Sequence, residues 1–275
     1  MSLTGPTHSR ARLSLGFGLV CLMAGLAAFG PWIAGDPFAQ DLLRTVEGPS
    51  RTYPLGTDGV GRDVLSRVIH GAPQSLGVAT LCVGLSAGLG VMLGLMSAGG
   101  RRFVGVLTMR VADLMLAFPG ILLALLLSGM LGGGTMPVMV GISLTLWPQF
   151  ARMTHAIATG ILLESHVEAA RLAGFSATAI VRRHVLPSIL PHVVTLGALS
   201  LGSAVVSISA LGFLGLGLRP PVPEWGAMIN EMMPYLSEAP IQVAAPCLAI
   251  FLSILGFTLL GEAFSDRMNR TSGLT

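Results

Sequence analysis

"ESHVEAARLAGFSATAIVRRHVLPSILP", Glu164 to Pro191, is a polar, helix-forming island between two of the most apolar tracts of the chain. From Glu164 to Ile180 it is Ala-rich, with Glu early and Arg at the far end, a composition that favours helix and matches the helix dipole. Leu186-Pro187 closes it before the next apolar run. Its surroundings decide what it is attached to. Of 275 residues, 52% are hydrophobic and 11% charged, with a mean hydropathy of +0.77, against roughly 45–50% and about 25% in a soluble domain. The sequence reads as an all-α integral membrane protein, and the island as a water-exposed connection between two of its helices.

All sixteen basic residues in the Lys+Arg count are arginine. A phosphate loop of the G-x-x-x-x-G-K-[ST] kind needs its lysine, and so does a Schiff-base enzyme. ATP hydrolysis by that route is excluded. The formal charge of +3 and pI near 9.1 do not point to nucleic acid, because the arginines are spread between apolar runs rather than gathered on one face. Cys21, Cys82 and Cys247 each lie in an apolar tract without C-x-x-C spacing and read as small buried hydrophobes. The histidines show no H-E-x-x-H pattern, so no metal site and no cofactor is expected.

About 20 apolar residues cross a bilayer as a helix, since every backbone amide must be satisfied within the segment. Six windows qualify: Leu13–Ile33, Ser75–Ala98, Val111–Leu131, Pro137–Ala156, Ser188–Leu211 and Gln242–Leu260. The first has features of a signal peptide, with Arg10 and Arg12 ahead of it, but its length and the continuation through Trp32 and Ile33 favour a membrane helix. With the N-terminus inside, Arg10, Arg12, Arg101, Arg102, Arg110, Arg152, Arg171, Arg182, Arg183, Arg267 and Arg270 fall on or near the cytoplasmic side, and Arg44, Arg51, Arg62, Arg67 and Arg219 outside. That asymmetry predicts both termini, and the island, in the cytoplasm. The expected organisation is residues 1–72 for the N-terminal tail, first helix and external loop, 73–264 for the main transmembrane domain with a cytoplasmic loop at about 157–187, and 265–275 for a cytoplasmic tail.

The spacing within the island is more specific than its composition. Glu168-Ala169-Ala170, three residues, Gly174, nine residues, His184, one residue and Leu186-Pro187 resembles the E-A-A-x-x-x-G-x9-I-x-L-P loop of the membrane subunits of ATP-binding cassette (ABC) importers. His184 stands where that pattern has Ile. "PLGTDGVGRDVLSRVIHGAPQSL" (Pro54–Leu76), "MRVADLMLAFP" (Met109–Pro119) and "ALGFLGLGLRPPVPEWGAMINEM" (Ala210–Met232) are similar to segments of the dipeptide, oligopeptide and nickel permeases, second (C-type) subunit. The resemblance implies a type I ABC importer permease fold in a bacterial inner membrane. It also implies a homologous second permease as heterodimer partner, ABC ATPases inside and a solute-binding protein outside. In that likeness Glu168, Ala169, Ala170 and Gly174 lie in an ATPase-coupling helix, and Leu186-Pro187 turn the chain into the fifth span.

Other signals remain. "GTDGVGRD" follows no strand pattern and is no nucleotide loop; Asp58, Arg62, Asp63 and Arg67 read instead as a short polar helix at the outer interface. Asp113 is an acid inside a predicted span, hence a translocation-path candidate, with pairing to Arg110 one turn earlier as the structural alternative. Gly84/Gly88 and Gly90/Gly94 form two G-x-x-x-G pairs, suited to close packing within the subunit or against a partner. A self-sufficient secondary transporter using Asp113 is the alternative function, though it leaves the Glu168–Pro187 spacing without a role.

Overall fold

The computed structural model describes residues 6–100 and 102–271. Arg101, assigned above to the cytoplasmic side, lies outside the described residues, as do residues 1–5 and 272–275 of the tails and the side chains of Arg10, Arg102 and Arg270. Among the described residues the chain is helical, apart from one isolated bridge between Thr57 and Asp63. The helices are α1 (Pro6–Ile33), α2 (Val64–Gly99), α3 (Arg102–Ala117), α4 (Gly120–Met130), α5 (Thr135–Leu162), α6 (Ser165–Leu172), α7 (Ala177–Ile180), α8 (Leu186–Phe213), α9 (Trp225–Met232) and α10 (Pro240–Thr271).

Among the described residues, four stretches are long and apolar enough to cross a membrane: Arg12–Ile33, Val64–Gly99, Ala177–Phe213 and Pro240–Met268. A fifth results if α3 and α4 count as one span. The expected third span, Val111–Leu131, is instead this pair, bent by 91°. Pro119 causes the break: it lacks an N–H, its ring clashes with the turn before it, and it biases Phe118 away from helical geometry. The expected fourth span lies within α5, which has the length but carries Gln149, Arg152 and His155 in its second half and is not among the four. Six separate crossings are therefore more than helix length and composition mark out.

Helix α2 packs most extensively against α5, and glycine makes that possible. A Cβ on Gly90 would stand 2.5 Å from Phe150 Cβ and 2.6 Å from the Trp147 carbonyl oxygen, and one on Gly94 would stand 2.6 Å from Thr154 Cβ. Gly90/Gly94 is thus an internal seam. Gly84 and Gly88 have nothing within 4 Å of that position and lie on the exposed side of the helix. Gly90→Ala is expected to lower stability by about 1–3 kcal/mol through overpacking. Gly84→Ala should be neutral or stabilising by up to about 1 kcal/mol through helix propensity. Thermal unfolding of the detergent-solubilised chain compares them, and equal effects would refute the assignment of faces.

The loop ahead of α2 is no polar helix. Asp58 turns the chain with its own carboxylate, accepting from the amides of Val60 at 3.0 Å and Arg62 at 2.9 Å, and Asp63 caps α2 by accepting from Leu65. Arg62 and Arg67 are buried rather than interfacial. Arg67 lies 2.6 Å from both Asp58 Oδ2 and Glu231 Oε2, while Arg62 reaches the same oxygens at 2.7 and 2.8 Å. Burial alone would raise the Asp58 pKa, but the Arg62 and Val60 amides and the Arg67 and Arg62 guanidinium charges outweigh it, holding the carboxyl below its usual range. Helix α9 is wedged into the same end. Glu224, fully buried, caps it through the amides of Gly226 and Ala227, both at 2.9 Å. Trp225 Nε1 donates to the Val68 carbonyl of α2 at 2.9 Å. Burial pushes the Glu224 carboxyl up, against those amides and the hydroxyls of Ser75 and Ser209. Of the cysteines only Cys82 is buried; Cys21 and Cys247 are exposed on the surface of the chain.

Candidate functional site

The island folds as a helix, a sharp turn and a second helix. Glu164 stands at the start of α6, and its carboxylate meets His166 Nδ1 at 3.0 Å. Val167 is the one buried side chain of α6 and pins it to the bundle. Glu168 and Ala169 are exposed and Ala170 half-buried. The helix ends because Gly174 adopts φ +84°, a left-handed conformation that glycine takes without a Cβ penalty. The Gly174 amide donates to the Arg171 carbonyl at 3.0 Å and the Phe175 amide to the Ala170 carbonyl at 3.1 Å, which is a Schellman motif. Gly174 is therefore the terminator of α6 rather than part of its interior, and the single helix expected over Glu164–Ile180 is two.

Ser176 then caps α7, accepting from the Ala179 amide. From Ala177 the helix runs without interruption to Phe213, so Leu186-Pro187 neither closes the island nor turns the chain, as expected above. The proline is accommodated by a π-helical turn over Val181–Val185, in which the Leu186 amide reaches back to the Val181 carbonyl. Such a turn absorbs the missing donor of Pro187 without a sharp kink. His184, in this turn, lies with its ring centroid 5.2 Å from that of His166, joining the turn to α6. Arg183 sits over the Phe175 ring at 5.9 Å.

Two apolar residues of this region stand in the open, Leu163 at 82% and Leu172 at 86% exposure. Sequence reasoning missed both, although a leucine on the outward side of a polar helix was visible as a signal. Glu168, Ala169, Leu172 and Gly174 thus form one exposed surface that the other described residues do not cover.

Asp113 is remote from that surface. It is half-exposed on α3 and pairs with Arg152 of α5, NH1 to Oδ1 at 2.8 Å, not with Arg110. Arg152, counted in the sequence as a topogenic charge, is the partner because α3 packs across α5. A cavity of about 490 Å³ opens beside the pair, lined by Ser97, Arg110, Asp113 and His155 among others, with Ser97 Oγ 2.7 Å from His155 Nδ1.

Residues 90–270 match the family described as the inner membrane component of binding-protein-dependent transport systems. The chain belongs to this family. Among its relatives, the di/tripeptide transport system permease protein DppC of Pseudomonas aeruginosa (strain UCBPP-PA14) is 37% identical over 269 residues, covering 95% of this chain and 88% of that protein. The glutathione transport system permease protein GsiD of Escherichia coli (strain UTI89 / UPEC) is 37% identical over 254 residues, 91% of this chain and 83% of that one. The GsiD protein of Pectobacterium atrosepticum is 34% identical over 265 residues, 94% of this chain and 87% of that one. In fold, the permease is similar to a chain of the MetNI methionine ABC transporter in an inward-facing conformation. The TM-score is 0.54 at 20% identity, covering 74% of this chain and 95% of that one. The part of this permease that matches the family contains both the exposed surface around α6 and the Asp113–Arg152 pair.

Proposed function

We propose that this permease is half of a membrane conduit that imports peptide-class solutes, di- and oligopeptides or glutathione, with nickel or a metal chelate as the other cargo of the same family branch. A homologous second permease completes the conduit, a solute-binding protein delivers from outside, and ABC ATPases bound at α6 drive it. Six crossings with both termini cytoplasmic remain the topology proposed from the arginine asymmetry. The observation that carries the reading is the uncovered surface of Glu168, Ala169, Leu172 and Gly174. Small side chains let α6 sit deep in a partner groove, an exposed leucine supplies an apolar anchor, and Glu168 offers a charge to a basic group at a partly desolvated interface. Because Ala177–Phe213 is one continuous helix, a push delivered at α6 reaches the membrane as motion of a rigid rod. The secondary-transporter alternative loses ground because it gives the exposed surface around α6 no role.

Co-expression tests the reading. The permease alone is expected to hydrolyse no ATP; with the second permease, ATPases and binding protein it should import a labelled dipeptide only when ATP is supplied. Uptake without the ATPases, or hydrolysis by the pure chain, would overturn the proposal.

A further inference from the structure

In the six-crossing topology proposed above, the break between α3 and α4 falls inside the third span, Val111–Leu131, where lipid does not tolerate it. Phe118, Pro119 and Gly120 are exposed on the surface of the chain. The last carbonyls of α3 lack the intrahelical donors that a continuing helix would supply. Non-helical backbone at membrane depth persists only where other protein covers it or water lines it. The ion pair between Asp113 and Arg152 lies just over one turn before this break, 47% and 56% exposed in its side chains. Two half-exposed formal charges are equally incompatible with hydrocarbon.

We propose that the Asp113–Arg152 pair faces the aqueous conduit and determines specificity there by reading the two charged ends of a zwitterionic peptide; this rests on the peptide-import reading above. The passing ammonium end exchanges with Arg152 at the Asp113 carboxylate, and the carboxylate end exchanges with Asp113 at the Arg152 guanidinium. Charge pairing is conserved in that exchange. A solute blocked at one end leaves one protein charge without a partner, which penalises it. The adjoining cavity of about 490 Å³ is within the roughly 300–1,000 Å³ typical of small-molecule sites. Arg110 lines this cavity with Asp113, and Arg152, paired with Asp113 at 2.8 Å, adds a second positive charge beside it, while Ser97 and His155 add hydrogen-bonding groups.

The complete importer, reconstituted in liposomes with saturating binding protein, is given a free dipeptide, its C-amidated form and its N-acetylated form. The intact pair should favour the free peptide at least tenfold over either blocked form. Arg152→Gln should bring the free-to-amidated ratio within about twofold, and Asp113→Asn should do the same for the free-to-acetylated ratio. The binding protein is the same in every arm, so a changed ratio belongs to the permease. Unchanged ratios in assembled variants overturn the inference, whereas import of no peptide at all by the unaltered complex overturns the peptide reading itself. A second measurement leaves the pair intact: Ala117→Cys, with Cys21, Cys82 and Cys247 replaced by alanine. The new thiol should react with a charged, water-soluble thiol reagent in the assembled complex, and at least threefold more slowly while solute is being delivered. Reaction with lipid-soluble reagents alone, or with neither kind, places the face in lipid or under the partner subunit and removes the proposal.

Discussion

Gly174→Leu is expected to reduce uptake at least tenfold while leaving the permease in the membrane at its normal level. At φ +84° a leucine is strained by about 1–2 kcal/mol, and loss of the Schellman turn would re-aim α6 away from the partner proposed for it. Among the described residues, nothing beyond its chain neighbours lies within 4 Å of the glycine Cβ position, so the helix bundle does not feel the substitution. Gly174→Asn separates backbone from bulk, since asparagine tolerates the left-handed region; it should keep at least half of the uptake. Glu168→Lys is expected to match the leucine variant in uptake for a different reason. It places a positive charge in the first turn of α6, against the helix dipole, and, in the docking proposed above, opposite the partner's basic group. Uptake, membrane level and ATPase association measured in the same cells decide the matter. Full uptake with Gly174→Leu and Glu168→Lys would reduce the island to a solvated connector.

Arg67→Met is expected to lower stability by about 3–5 kcal/mol, the range for breaking a buried ion pair from one side. The side chain is 1% exposed and binds two carboxylates at 2.6 Å; methionine fills much of the volume but leaves Asp58 and Glu231 to share Arg62. Arg44→Ala is the control. Its pair with Asp41 is 3.6 Å long and roughly half-exposed, so the expected change is below about 1 kcal/mol. Denaturant unfolding in detergent measures both, and a loss below about 1 kcal/mol for Arg67→Met would show that the network does not hold this end of the bundle together. The sign of its pH dependence follows from Asp58. Its carboxyl is held below the ordinary value of 3.8, so its contribution is fully present above that pH and is lost only as pH falls through the lowered folded value. The network should therefore be intact throughout the neutral range.

How the residues divide between the two levels of description follows from the range of the forces involved. Local composition announced the long apolar helices and the polar island, because backbone hydrogen bonding in a bilayer is satisfied within each segment and leaves its mark on consecutive residues. The Glu168–Pro187 spacing was legible for the same reason: α6 ends through short-range bonds, from the Gly174 amide three residues back to Arg171 and from the Phe175 amide five residues back to Ala170. Pro119 announced a weakness in the third span but not the 91° turn, whose size depends on how α4 packs against α5. The rest was decided by pairs distant in the chain. Asp113 chose Arg152, 39 residues on, over Arg110 one turn away. Arg62 and Arg67 found Glu231 across 169 and 164 residues, so a loop that reads as surface became interior. Two G-x-x-x-G pairs that look alike in sequence separated into a packed seam and an open face only when α5 came to lie on one side of α2 and not the other. Sequence by itself determined that long apolar helices alternate with a polar island. Which charges meet, and which face of each helix is covered, was settled by tertiary packing, because those energies depend on distances that no local pattern encodes.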